Sequence, residues 1–518
     1  MKKFEILGSL LILSATILSA QNALGSYEND YYDFLSLIGE AERPTLNYKT
    51  LSDSVWEEED GYKVYGPELY TSYNSNNPYG QNDGALWQGR GLNSSLTAGV
   101  RYASHGFELT FKPQVVFSQN QDFDIIPPSY SGSDFFEKAE TYGYYGIRSI
   151  DAPQRFGDDA FFDFSWGDSE IRYSWNSFTV GFGTQNIWLG PVSVNPILFS
   201  NNAAPFPKLD IGLRKKTIKI FDHDIGTFEA RSFWGRLSES DYFDNNGDND
   251  YNLLTGLSVS YSPFFAKGFT FGFHRTMQSN WEDNDWEGIF TLLWPFLSRE
   301  AGRDERDQRA SFTFDYLLPT VGLELYAEWA RNDYSARLDY LIRYPFHTQA
   351  YTLGLKKSIP IPFIDGARGK LFIELTNLES SRDYDINNRK TTFYAHHIIR
   401  HGYTNRGQWL GAGIGTGGNS QILGAEIYTQ NGMFSVFVQR RNPDNDYVWF
   451  MENDAEQKYR FRTDLSLGVE AQYLLNAYTR LGGGFVLTDV HNYHYEANHA
   501  SSHTYNAHLF TTISILLD

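Results

Sequence analysis

VGLELYAEWA, residues 321–330, carries two interleaved sets of side chains. Val321, Leu323, Leu325, Ala327 and Trp329 form one; Gly322, Glu324, Tyr326 and Glu328 form the other. Side chains alternate across a strand, so one face is wholly apolar and the other bears ionisable groups at mid-strand. A soluble sandwich turns such an apolar face into a core, whereas a membrane barrel turns it to lipid and keeps the polar face inside. The links between strands of this kind separate the two cases.

Other segments repeat the pattern. Leu465, Leu467, Val469, Ala471 and Tyr473 oppose Ser466, Gly468, Glu470 and Gln472, while Phe269, Phe271 and Phe273 oppose Thr270, Gly272 and His274. Phe107, Leu109 and Phe111 oppose Glu108, Thr110 and Lys112. At the C-terminal end Tyr505, Ala507, Leu509, Thr511, Ile513, Ile515 and Leu517 form an outward set. About eighteen strands can be read from residue 62 to the end. Short links (104–106, 176–177, 262–266, 318–319, 429–431, 474–476) alternate with long ones (74–93, 118–168, 186–207, 237–251, 277–308, 332–347, 379–418, 441–462, 489–503). Two intermediate links, 214–225 and 359–367, fall where short ones are due. Strict alternation of tight turns and long loops is the signature of an up-and-down antiparallel β-barrel in an outer membrane. The expected fold is therefore all-β, a transmembrane barrel of about eighteen strands with long extracellular loops over residues 61–518.

Composition agrees. Aromatic residues make up 17% of the 518, yet mean hydropathy is −0.44 and no later apolar run is long enough for a transmembrane helix. The formal net charge of −20 excludes a nucleic-acid binder, since little here would neutralise phosphates. There is no cysteine, hence no disulfide framework, thiolate nucleophile or lipoprotein anchor. Lys2 and Lys3 precede an apolar run from Ile6 to Ala20 and then small residues, which reads as a signal peptide over 1–25. Residues 26–60 read as a periplasmic helical segment, with Tyr31, Phe34, Leu35 and Ile38 on one face and Pro44 as its stop.

Two long links carry the main candidate chemistry, and Tyr and Asn residues of the 379–418 link add to it. NNPYGQNDGALWQGRG (76–91) supplies Asn82, Asp83, Trp87 and Gln88; the 186–207 link supplies Trp188, Asn195, Asn201 and Asn202. A sugar ring needs a flat apolar surface for its C–H face and amides or carboxylates for its hydroxyls. The alternative use of the same amides is to cap turns and pack loops together inside the barrel mouth. NPILFSNNAAPFPKL (195–209), with Pro196, Pro205 and Pro207, cannot be a ladder strand and belongs either in water or folded against the polar lumen wall.

YGQNDGALWQGRGLNSSLTAGVRY (79–102), TQNIWLGP (184–191) and SNNAAPFP (200–207), in this order, resemble the Wzi capsule-assembly family of outer-membrane proteins, in particular its Bacteroidetes-type members. The family has a glycine after the proline of the third motif, where this chain has Phe206. The resemblance implies an eighteen-stranded barrel with a small periplasmic helical element. It also implies a lectin-like role, holding capsular or surface polysaccharide at the outer membrane without cleaving it, with outer-membrane lipid and other export or assembly components as neighbours.

The different-class alternative is a porin-like channel. Inward-facing Glu108, Lys112, Arg172, Glu324, Glu328, Glu374, Glu426 and Glu470 would line an aqueous path, or else pair with one another or with loops in a plugged barrel. DYFDNNGDNDYN (241–252) lacks calcium-loop spacing, with Gly247 fourth and Thr255 twelfth from Asp244. Neither His396, His397 and His401 nor the histidines of 491–508 have a zinc-motif spacing. No nucleophile elbow is present, so no catalytic residue, cofactor or metal is expected.

Overall fold

The computed structural model describes residues 26–55, 60–128, 141–147, 150–221, 223–282, 306–332, 342–381, 392–450, 460–496 and 502–517. The segment read as a signal peptide lies outside these residues.

Twenty ladder segments close into one antiparallel barrel. Two pairs of segments are halves of interrupted strands, so the wall has eighteen strands. Phe107–Phe111 and Gln114–Ser118 both lie along Gly91–Ser104 and are split near Pro113, which has no N–H to give the ladder. Across from them Phe161–Ser165 and Glu170–Trp175 are split around Gly167, at φ +56°. The last strand, Thr504–Ile515, pairs with the first, Gly61–Asn74, through Glu68↔Ser514 to Asn74↔His508, which leaves no open edge. Every ladder thus satisfies its own N–H and C=O groups, a requirement for structure that spans lipid. No described helix is long and apolar enough to cross a membrane.

The faces follow the alternation. Leu325 is exposed between Glu324 and Glu328, both fully buried; Phe107, Leu109 and Phe111 face out while Glu108, Thr110 and Lys112 face in. Tyr505, Leu509 and Ile513 on the last strand also face out. Tight turns collect at one end of the barrel and long connections at the other.

Three local readings change. The 214–225 link is mostly strand: Lys208–Ile220 pairs with His223–Ser238, and a bulge between Leu213 and Lys216 breaks the alternation that would have revealed it. Phe161–Ser165, inside the long 118–168 link, is a wall segment. Val321 and Gly322 belong to a turn: Pro319–Val321 is a 3-10 helix capped by Gly322 at φ +59°, and the strand begins at Leu323.

The lumen is occupied from both ends. At the short-turn end helix α1 (Tyr27–Leu37), capped by the Ser26 hydroxyl on Asn29 N–H, stacks Phe34 on Tyr428 with ring centroids 4.3 Å apart. The chain then turns inward. Arg43 pairs with Asp33, Asp315 and Glu324, and residues 46–48 run inside the wall, where their N–H groups bond Glu229. From the long-loop end the 184–207 connection descends to meet them. Tyr48–Lys49 and Trp188–Leu189 form a two-stranded sheet in the interior, and Gly190 N–H bonds Asn47 O.

The main apolar core is therefore luminal. Ile197, Leu198 and Phe199 of the descending connection pack with Tyr48, Phe233, Tyr394 and Tyr403, and the wall contributes small Ala330 and Ala350. Phe206 joins this cluster against Phe199 and Phe233. It lies over Gly235, where any Cβ would come within 2.4 Å of its ring. The residue that departs from the family pattern is a core residue here.

Candidate functional site

At the long-loop end five connections enclose a cavity of about 260 Å³. Its aromatic surfaces are Tyr79, Trp87, Tyr144, Tyr145 and Trp409; its polar groups include Asp83, Gln88, Gln154, Asn202, Gln408, Arg441 and Asp444. Trp87 leans on Phe156 and Phe161, at 5.0 and 6.4 Å between centroids. Trp409 is held edge-on by Tyr144 at 6.1 Å and backed by Tyr394 at 5.7 Å. Both indoles are half-buried, so each is fixed from behind and open in front.

The loops are shaped by buried amides. Asn74, fully buried at the end of the first strand, donates from Nδ2 to the carbonyls of Tyr79, Gln88 and Gly89, each at 3.1 Å, and so wraps 79–89 into a compact turn. The Gln88 carbonyl oxygen accepts from the Tyr70 and Ser72 hydroxyls. Asn202 ties three connections: its Oδ1 accepts Asn82 N–H at 3.1 Å and its Nδ2 donates to Trp409 O at 3.1 Å. Gln154 bonds both backbone groups of Ile126 and the Gly143 carbonyl.

Of the eight residues singled out from the sequence, Asp83, Trp87, Gln88 and Asn202 line this cavity. Asn82, at φ +59°, stands behind it and donates from Nδ2 to Val194 O at 2.9 Å. Asn201 is buried and accepts Gly84 N–H through its backbone carbonyl. Asn195 and Trp188 lie deeper. Asn195 N–H bonds Glu374 Oε1 at 2.8 Å, and Trp188 Nε1 donates to Val192 O at 2.9 Å beside the N-terminal segment. Sequence reasoning missed Trp409, Tyr144 and Tyr145 as cavity walls. The glycine-rich run GQWLGAGIGTGG (407–418), too irregular for a strand, was the available signal for Trp409.

Three of the other motifs resolve into structural parts. Asp244 caps its own turn by accepting Asn246 N–H and Asn249 Nδ2. His401 is buried, with Nδ1 on Asn252. The inward carboxylates hold the luminal segments: Glu374 accepts N–H groups of Ser193, Val194 and Asn195, and Glu328 that of Ile197.

Electrostatics make the loop cap sensitive to pH. Burial pushes Asp444 up to about 8 against the hydrogen bond from Tyr144, and Asp151 up to about 7 against those from Ser240. Burial likewise raises Asp83 to about 7 and Asp446 to about 6. A raised folded-state value means that the folded cap binds more protons than the unfolded chain between pH ~4 and ~8, so its stability falls as pH rises through that window. Hydrogen exchange in 79–89 and 407–416, corrected for intrinsic rates, is expected to show more opening at pH 8.5 than at pH 5. Equal protection would contradict the assignment.

A family model described as capsule assembly protein Wzi matches residues 69–489. The chain belongs to that family. Among solved structures, the fold is similar to Wzi of Escherichia coli, an outer-membrane protein involved in group 1 capsule assembly and described as a carbohydrate-binding β-barrel. Identity is 13%, the TM-score is 0.62, and the match covers 96% of this chain and 100% of that one. Pseudomonas aeruginosa OccD3 aligns at 12% identity over 88% of this chain and 92% of its own, and a BenF-like porin from Pseudomonas fluorescens at 10% over 88% and 99%; the TM-score is 0.39 for each. No curated protein matches in sequence. With its closed wall and apolar jacket, this Wzi-family chain is an outer-membrane protein.

Proposed function

We propose that the long-loop end faces the cell exterior and that the Trp87–Trp409 cavity receives a sugar unit of a capsule-type polysaccharide, non-catalytically. The observation that carries this reading is the lining itself: two braced indoles beside a ring of amides, at a mouth whose interior is filled. Indole faces suit the C–H side of a pyranose, and amides suit its hydroxyls. Both oxygens of Asp444 are engaged, one by the Tyr144 hydroxyl and one by Tyr447 N–H, so this carboxyl serves the loop rather than a glycosidic bond. Asn195, Asn201 and Trp188 take structural parts in this reading, and Asp83, Gln88 and Asn202 stay as contacts. Weak single sites displayed densely over a surface retain a polymer through avidity.

The test is binding of purified protein to the surface glycan of the producing strain. Trp409→Ala and Trp87→Ala are each expected to weaken binding about tenfold, some 1.4 kcal/mol. Absence of binding by the wild type, or full binding by Trp409→Ala, would reject the assignment.

A further inference from the structure

The last hairpin carries a second constellation, on its outward face at the long-loop rim. The register Val490↔Thr504 places His491 directly across from His503, and Asp489 stands two residues back on the same face. Same-face and cross-strand neighbours in a sheet are the positions from which three side chains can converge on one point. Here they do. His503 Nε2 reaches one oxygen of the Asp489 carboxylate, His491 Nε2 reaches the other at 3.2 Å, and the three donor atoms lie within 4.8 Å of one another. The two imidazoles stack at 4.6 Å with planes 20° apart.

Packing does not account for this arrangement. All three side chains are about a third to a half exposed, so little apolar area is gained by bringing them together. Two imidazoles side by side repel when both are charged, and the ordering of three mobile surface side chains costs entropy. A single dication bound by both nitrogens and the carboxylate would answer all three points.

We propose that Asp489, His491 and His503 form a surface site for a first-row divalent metal of the Zn²⁺ type. Two imidazoles and one carboxylate favour zinc and its neighbours over calcium or magnesium, which prefer all-oxygen shells. Three protein ligands leave coordination open on the side away from the wall, where water or an anionic oxygen can complete it. The site lies beside the exposed apolar side chains of Leu487, Tyr505 and Leu509 on the outer face of the barrel.

Zn²⁺ titration by calorimetry tests this on full-length protein in detergent, free of any polyhistidine tag, with Co²⁺ visible spectra reporting nitrogen and oxygen ligation. One equivalent is expected to bind, with affinity falling by at least about tenfold in His503→Ala and in Asp489→Asn. His105→Ala, at the opposite end beside Asp60, should bind as the wild type does, and gel mobility of unheated samples checks that each barrel is closed. His491→Ala provides a second ligand variant should one of the others fail to fold. No stoichiometric uptake by the wild type, or unaltered uptake by folded ligand variants, overturns the site.

Discussion

Alanine at both Glu229 and Glu374 is expected to turn a silent barrel into a leaky one. Glu374 accepts N–H groups from Ser193 at 2.9 Å, Val194 at 3.1 and 3.2 Å and Asn195 at 2.8 Å, and a hydroxyl from Tyr326. Glu229 does the same for the other luminal segment, accepting from Leu46 at 2.9 Å, Asn47 at 2.9 Å and Tyr48 at 2.7 Å. Each carboxylate therefore anchors three successive peptide groups in an interior with few alternative partners. An unsatisfied buried donor costs roughly 1–3 kcal/mol, so truncating either glutamate removes several kcal/mol from the seat of its segment. The two segments also brace each other through Tyr48↔Leu189, so loss of both anchors frees a pair that neither loss alone would release. In planar bilayers the wild type should carry no steady current, the single variants brief openings, and the double variant sustained conductance. A conducting wild type would restore the channel reading, and a silent double variant would show that the luminal core alone holds the plug.

These carboxylates show what the sequence discloses and where it stops. That Glu324, Glu328 and Glu374 point inward follows from alternation with Leu323, Leu325 and Leu375, because a one-residue slip would put charges into lipid. What they meet there does not follow, since their partners are backbone N–H groups of segments distant in the chain. Strand order was legible for a similar reason: alternating link lengths survive errors in individual boundaries. The misreading at 214–225 arose where a bulge shifted the phase. In the site, Asp83, Trp87, Gln88 and Asn202 could be found because aromatic and amide residues cluster in irregular sequence. Trp188 looked equivalent on that criterion. Its apolar neighbours Ile187 and Leu189, with Ile197, Leu198 and Phe199 further on, distinguish it, for a solvated loop gains nothing from such residues. Tyr144 and Trp409 meet only because loops far apart in sequence converge, which no local pattern encodes.

Asp53→Ala should be the most destabilising single change in the N-terminal segment. Its carboxylate accepts Arg231 Nη1 on both oxygens, at 2.7 and 2.8 Å, and forms an ion pair with Arg214, whose Nε lies 3.1 Å away. Behind it Arg231 also pairs with Asp210, and Arg172 with Glu170 and, at 3.4 Å, with Asp210, all fully buried. Desolvation alone would push Asp53 up, but Arg231 and Arg214 outweigh it and hold the carboxyl at about 2. With the folded value below the ordinary 3.8, this contribution is complete above about pH 4 and is lost as pH falls through 2. Removing the carboxylate leaves two arginines facing each other without their shared counter-charge, a loss of about 3–5 kcal/mol for a broken buried pair. The melting temperature should drop, and protease should cut within 26–55 far faster than in the wild type. Much of that penalty belongs to the stranded cations rather than to the missing contact. Asp53→Ala combined with Arg214→Met should therefore be more stable than Asp53→Ala alone, a non-additivity that a double-mutant cycle reads directly. Strictly additive losses would mean that the three side chains do not act as one unit and that the segment is held by Glu229 and the luminal core instead.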